Sequence, residues 1–119
     1  MRKINQKLKN EIAGDSFMKK CCITGSYNVS WEHCWIYAGK QVNEKWAIVP
    51  LERGLNTSHP PIIIKELCKL ISLNRATKED LAKYPKKNWS QIRKFLNLRY
   101  EQGKYKAIIS KYSLAREKI

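Results

Sequence analysis

The chain's only two histidines each stand near other groups able to act on a phosphodiester. His33 follows Glu32 at the end of one apolar-alternating stretch, and Asn56 and His59 follow a second such stretch. A neutral imidazole can take a proton from water. A divalent cation held by oxygen and nitrogen ligands can offset the charge that develops on a phosphate and its leaving oxygen. Asn56 and His59 are three residues apart, so on a helix they share a face; the following Pro60-Pro61 leaves a loop as the alternative. Each residue also has a plainer role: a packed histidine for His33, a solvated strand-end carboxylate for Glu32, a turn residue for Asn56 and a helix cap for His59.

The elements that must position these groups are legible from pattern. Ile4, Leu8 and Ile12 recur every four residues and predict a short helix ended by Gly14-Asp15. Thr24-Gly25-Ser26 marks a turn, Val29 and Trp31 alternate as in a strand, Tyr37 to Lys45 reads as loop around Gly39, and Trp46-Ala47-Ile48-Val49 reads as a second strand stopped by Pro50. Behind Pro60-Pro61, the residues Ile63, Glu66, Leu67, Leu70 and Ile71 have helical spacing. A second helix starts at Thr77 with a capping box and ends near Tyr84-Pro85; a third runs from Asn88 to about Gln102 and closes at Gly103. A last helix carries Tyr105, Ile108, Ile109 and Tyr112. The expected class is α+β, a small hairpin inside a mostly helical single domain, with Trp31, Trp35 and Trp46 in its core.

Charge divides the 119 residues more sharply than hydrophobicity does. Of the formal net charge of +14, residues 1–20 carry +4, residues 21–59 carry none and residues 60–119 carry +10. The neutral stretch holds both histidines, three of the four Trp and three of the five Gly, so it reads as a compact unit between basic arms. Residues 81–100 contain no acid. Lys83, Lys86, Lys87, Arg93, Lys94 and Arg99 therefore form the expected surface for a phosphate backbone, bound without reading sequence. Such a charge points to nucleic acid ahead of an anionic membrane. No stretch approaches the roughly 20 apolar residues of a membrane span, and the basic start lacks the apolar core of a secretory signal, so the expected location is cytoplasmic. Cys21, Cys22, Cys34 and Cys68 are then expected as free thiols, packed as small apolar groups.

Residues 21–59 resemble the HNH, or ββα-metal, endonucleases. The likeness rests on Cys22-Ile23-Thr24-Gly25, Trp31-Glu32-His33, Gly39, Trp46-Ala47-Ile48-Val49-Pro50-Leu51, and Asn56 with His59. In that family an acidic residue followed by His closes the first strand, an apolar Val-Pro-Leu segment forms the second, and a His or Asn of the next helix completes a metal site. The 24 residues between Glu32 and Asn56 fit that spacing. The resemblance implies a ββα-metal core over residues 21–72, between a basic arm at 1–20 and a basic helical extension at 73–119. It implies His33 as the general base, and Glu32 with Asn56 or His59 as ligands of one divalent ion, Mg²⁺ ahead of Mn²⁺ or another.

Two departures qualify the likeness. Ala47 stands where the family often has an Asn that steadies the loop carrying the base, with Asn43 as a substitute from the loop. The paired CxxC motifs of many members are lacking, with only Cys22 of such a pattern present, so structural zinc is not expected. The function implied is metal-dependent cleavage of DNA ahead of RNA. Two alternatives stand beside it: a non-catalytic nucleic-acid-binding module with a degenerate HNH core, and a nuclease component whose site a protein partner completes.

Overall fold

A computed structural model of the chain describes residues 4–55 and 60–112. Its elements are α1 (Gln6–Ala13), β1 (Val29–His33), β2 (Ile36–Tyr37), β3 (Lys40–Gln41), β4 (Ile48–Glu52), α2 (Pro61–Arg75), α3 (Lys78–Ala82), α4 (Trp89–Glu101) and α5 (Lys106–Lys111), with short 3₁₀ turns at Ser16–Lys19 and Lys45–Ala47. Helices and small antiparallel hairpins together make the α+β class expected from the pattern.

The strand pair β1–β4 is antiparallel, with Glu32 opposite Val49 and His33 opposite Ile48. The second strand begins two residues later than its apolar run and passes through Pro50 to Glu52, which corrects the expected stop at Pro50. The register explains the tolerance. Cys34 donates to the Ala47 carbonyl and Arg53 to the Asn28 carbonyl, at 2.9 and 3.0 Å. These bonds flank β1 at the even-numbered positions 28 and 34, so Trp31 and Pro50 form a non-hydrogen-bonded pair and no ladder bond needs the missing proline N–H. The Pro50 carbonyl points away from β1 and accepts from the Cys22 amide at 3.0 Å, tying the preceding turn to the outer edge of β4.

The stretch expected as loop around Gly39 is instead a tight hairpin of β2 and β3. Its two central residues, Ala38 (φ 51°) and Gly39 (φ 79°), both adopt positive φ, the geometry that lets a two-residue turn follow the strand twist. Glycine accepts this without strain and alanine does not, which is why one Gly in the sequence understated the turn.

The pleat gives the β1–β4 ribbon two coats. Val49 and Leu51 face the main core, built with Leu67, Leu70 and Ile71 of α2, Leu96 of α4, Tyr105 and Ile108. Ile48 faces a smaller core with Leu8 and Ile12 of α1 and Met18. The main core thus draws residues from the central stretch and the basic C-terminal arm alike, and that arm folds back through its apolar stripe.

Aromatic contacts lock the hairpin loop to the α3–α4 corner. Trp35 meets Trp89 edge-on at 5.1 Å, Tyr37 meets Tyr84 at 5.0 Å, and Trp46 lies 5.9 Å from Trp89. Such pairs add about 0.5–1.5 kcal/mol each beyond area burial. The Trp35 indole donates to Ser72 Oγ at 2.7 Å, and that hydroxyl donates to the Lys69 carbonyl at 2.8 Å, so a buried polar group inside α2 is satisfied. Trp31 departs from expectation: it is 39% exposed, while Trp35 and Trp46 are buried.

Both capping expectations hold. Thr77 accepts from the Asp80 amide while Asp80 accepts from the Thr77 amide, and Asn88 accepts from the Gln91 amide. Among the described residues no helix is long and apolar enough to cross a membrane.

Candidate functional site

Antiparallel pairing carries Glu32 and His33 to the end of β1, next to the loop that returns toward β4. Both are half-buried. His33 Nε2 lies 3.0 Å from Asn43 Oδ1, so the loop residue reaches the imidazole. With the amide oxygen accepting, the ring carries its proton on Nε2 and keeps the lone pair on Nδ1. Ala47 is fully buried with its carbonyl in the strand ladder, and its methyl group has no polar atom to offer a histidine. Asn43 supplies the contact from four residues upstream.

Glu32 accepts from Ser30 Oγ at 3.3 Å through Oε1, on the ribbon face shared with Val49 and Leu51. Adjacent strand residues normally point to opposite faces. His33 is the last residue of the strand, and it lines the same cavity as Glu32, of about 370 Å³, between β1 and α2. Three lysines line that cavity too: Lys65 and Lys69 from α2, and Lys87 from the turn before α4. Asn56 and His59, the expected partners of Glu32 on a metal ion, lie outside the described residues. Among the described residues no group of three or more His, Cys, Asp or Glu side chains could hold a metal ion.

All four cysteines are free. Cys21 Sγ accepts from the amides of Ile23 and Thr24 at 3.4 and 3.3 Å and so closes the Thr24-Gly25-Ser26 turn. Burial pushes the Cys34 thiol up to about 12, against a weaker opposing pull from Ser72. A hydrogen bond with Cys22, then burial, raises Cys68.

The six basic residues expected on the phosphate surface separate into two groups. Arg99 Nε is 2.5 Å from Glu66 Oε1, which also accepts from Tyr105 at 3.0 Å. The bond to Glu66 raises the Arg99 pKa, and burial together with Tyr105's own hydrogen bond to Glu66 pushes Tyr105 up to about 12. Arg93 donates to Asn74 Oδ1 and to the Leu73 carbonyl, both at 3.0 Å, and so ties α4 to the last turn of α2. Lys83 pairs with Glu44 at 3.3 Å. These three hold elements together, a role the sequence expectation did not give them. Lys86 and Lys94 are exposed, and Lys87 stands at the cavity with its Nζ 5.9 Å from the Trp35 ring centroid.

Lys65 and Lys69 were missed because they lie outside the acid-free stretch. Their four-residue spacing on α2 was the available signal, since it places two cations on one helix face. Compared with family models, curated proteins and solved structures, the chain matches none.

Proposed function

We propose that the chain is a metal-dependent endonuclease of HNH type that hydrolyses phosphodiester bonds in DNA. The observation that carries this reading is the His33–Asn43 contact beside the Glu32 carboxylate, at a cavity rimmed by Lys65, Lys69 and Lys87. With the Asn43 amide oxygen accepting from Nε2–H, Nδ1 of the neutral ring is the nitrogen that can act as general base. Nδ1 takes a proton from water as the water oxygen bonds to phosphorus, the P–O3′ bond breaks, and the departing 3′-oxygen takes a proton from solvent. Lysines at the rim hold the phosphate against the cavity.

The donor chemistry fits a hard cation: the Glu32 carboxylate is a cavity-lining oxygen donor that accepts from the Ser30 hydroxyl, and Asn56 and His59 complete the expected ligand set. When bound, one Mg²⁺ or Mn²⁺ supplies positive charge for the pentacovalent phosphorus centre and the leaving oxygen.

Plasmid nicking by the purified chain, with Mg²⁺ or Mn²⁺ and with EDTA, tests the reading. His33→Ala is expected to slow nicking by roughly 10²–10⁴-fold and Asn43→Ala by less. Equal rates for His33→Ala and the parent overturn the assignment of the base. Ala47 favours a second reading, a nucleic-acid-binding module with a degenerate HNH core. Salt-sensitive binding without metal-dependent nicking selects it. Nicking that starts only when a second protein is added selects a partner-completed nuclease.

A further inference from the structure

A second hollow, of about 660 Å³, adjoins the Glu32–His33 cavity and shares Trp35, Lys65, Lys69 and Lys87 with it. The shared residues form a ridge, with the hydrolytic cavity on one side and a groove between α2 and α4 on the other. Lys69 Nζ and Lys87 Nζ lie 5.4 and 5.9 Å from the centroid of the Trp35 ring, which gathers both cations over one buried aromatic. Among the described residues none of the three lysines enters an ion pair. The one carboxylate in the groove, Glu66, is already matched by Arg99.

Beyond the ridge the groove is apolar and open. Ile62 is 63% exposed and Phe95 is 55% exposed, and both line it. Arg99 lies 5.8 Å from the Phe95 ring centroid and steadies the ring from one side. A duplex offers a basic ridge its phosphates and sugars and makes no use of an open phenyl face beside it. An unpaired strand offers phosphates and bare base faces together, and aromatic stacking beside a cationic track is how single strands are held.

We propose that cavity and groove form one track for an unpaired DNA strand, with phosphates on Lys65, Lys69 and Lys87 and a base stacked on Phe95. Charge complementarity selects this occupant over an apolar peptide. That the cavity end of the track is where the strand is cut rests on the nuclease reading; the binding itself does not.

Fluorescence anisotropy in EDTA, with one labelled DNA oligonucleotide used single-stranded and as its duplex, tests binding apart from cleavage. The parent is expected to bind the single strand more tightly. Phe95→Ala should weaken single-strand binding about tenfold and duplex binding by less than about twofold, and Phe95→Trp should restore it. Ile62→Ala probes the same floor from α2, with a smaller loss of the same selectivity, should Phe95→Ala melt early. Duplex binding equal to or tighter than single-strand binding overturns the proposal. So does single-strand binding that neither Phe95→Ala nor Ile62→Ala changes, an outcome that leaves the apolar floor to a protein partner. Selective single-strand binding without nicking in Mg²⁺ or Mn²⁺ removes the nuclease reading alone.

Discussion

Glu66 and Lys69 are one turn apart on α2, yet they belong to electrostatically opposite regions. Along the α2–α4 seam the guanidinium groups are engaged: Arg99 pairs with Glu66, which also accepts from Tyr105, and Arg93 donates to the Leu73 carbonyl at the end of α2. At that same end of α2, Asp15 is held by Arg75 at 2.5 Å and Lys45 at 3.8 Å. Burial raises the Asp15 carboxyl, but the Arg75 and Phe17 hydrogen bonds and the two cations outweigh it and leave its pKa lowered. At the ridge, Lys65, Lys69 and Lys87 stand together without a carboxylate in salt-bridge range among the described residues. Paired cations fix the positions of helices. Unmatched cations raise the local potential, which a polyanion relieves by displacing counterions.

The comparison breaks most visibly if the ridge is removed. The triple variant Lys65→Ala, Lys69→Ala, Lys87→Ala is expected to lower single-strand affinity at low salt by on the order of 100-fold and to flatten the dependence of log affinity on log salt by about 2, from roughly 0.7 per lost contact. Its melting temperature should fall by only a few degrees, because no ion pair is lost and the two cation–π contacts on Trp35 are each worth about 0.5–1 kcal/mol. An unchanged salt slope would deny the ridge its role.

The seam should answer in the reverse sense. Glu66→Gln withdraws the charge that Arg99 and Tyr105 share, and a fall in melting temperature of roughly 5 °C is expected, with nucleic-acid affinity within about twofold of the parent. A large affinity change at constant stability would move Arg99 back to the phosphate surface.

The smallest expected effect is alkaline. Tyr105 is raised from 10.0 to about 12 and Cys34 from 9.0 to about 12, so in each case the folded state keeps a proton that the unfolded chain releases. Between about pH 9 and 12 the folded state binds more protons, and stability falls as pH rises. Thermal melts from pH 8 to 11 should decline, and Tyr105→Phe should flatten the part of the decline above pH 10. A flat profile for the parent would show that neither group is protected in solution.

Much of this arrangement could be read directly from the chain. The first helix, the first strand, the capping box at Thr77, the Asn88 cap and the stop at Gly103 follow from local chemistry, because each is marked by residues close together in sequence. The Ala38-Gly39 hairpin and the passage of β4 through Pro50 did not, since a two-residue turn with alanine at positive φ and a proline on a non-hydrogen-bonded position depend on register, which no short window contains. Glu32 and His33 were identifiable as a pair by type and adjacency. The Asn43 contact was visible only as a substitution for a missing Asn, because ten residues of hairpin decide whether that amide comes back to the ring.

Composition by itself determined a net charge of +14 on 119 residues, which is independent of folding and favours a polyanion as the proposed partner. It also determined the separation of a neutral centre from basic arms. Tertiary structure decided which cations are spent internally and which face outward. A lysine's charge is fixed by its chemistry, but its availability depends on whether a carboxylate from a distant element arrives within reach. Folding brought Glu66 to Arg99 across 33 residues and Glu44 to Lys83 across 39, and brought none to the ridge among the described residues.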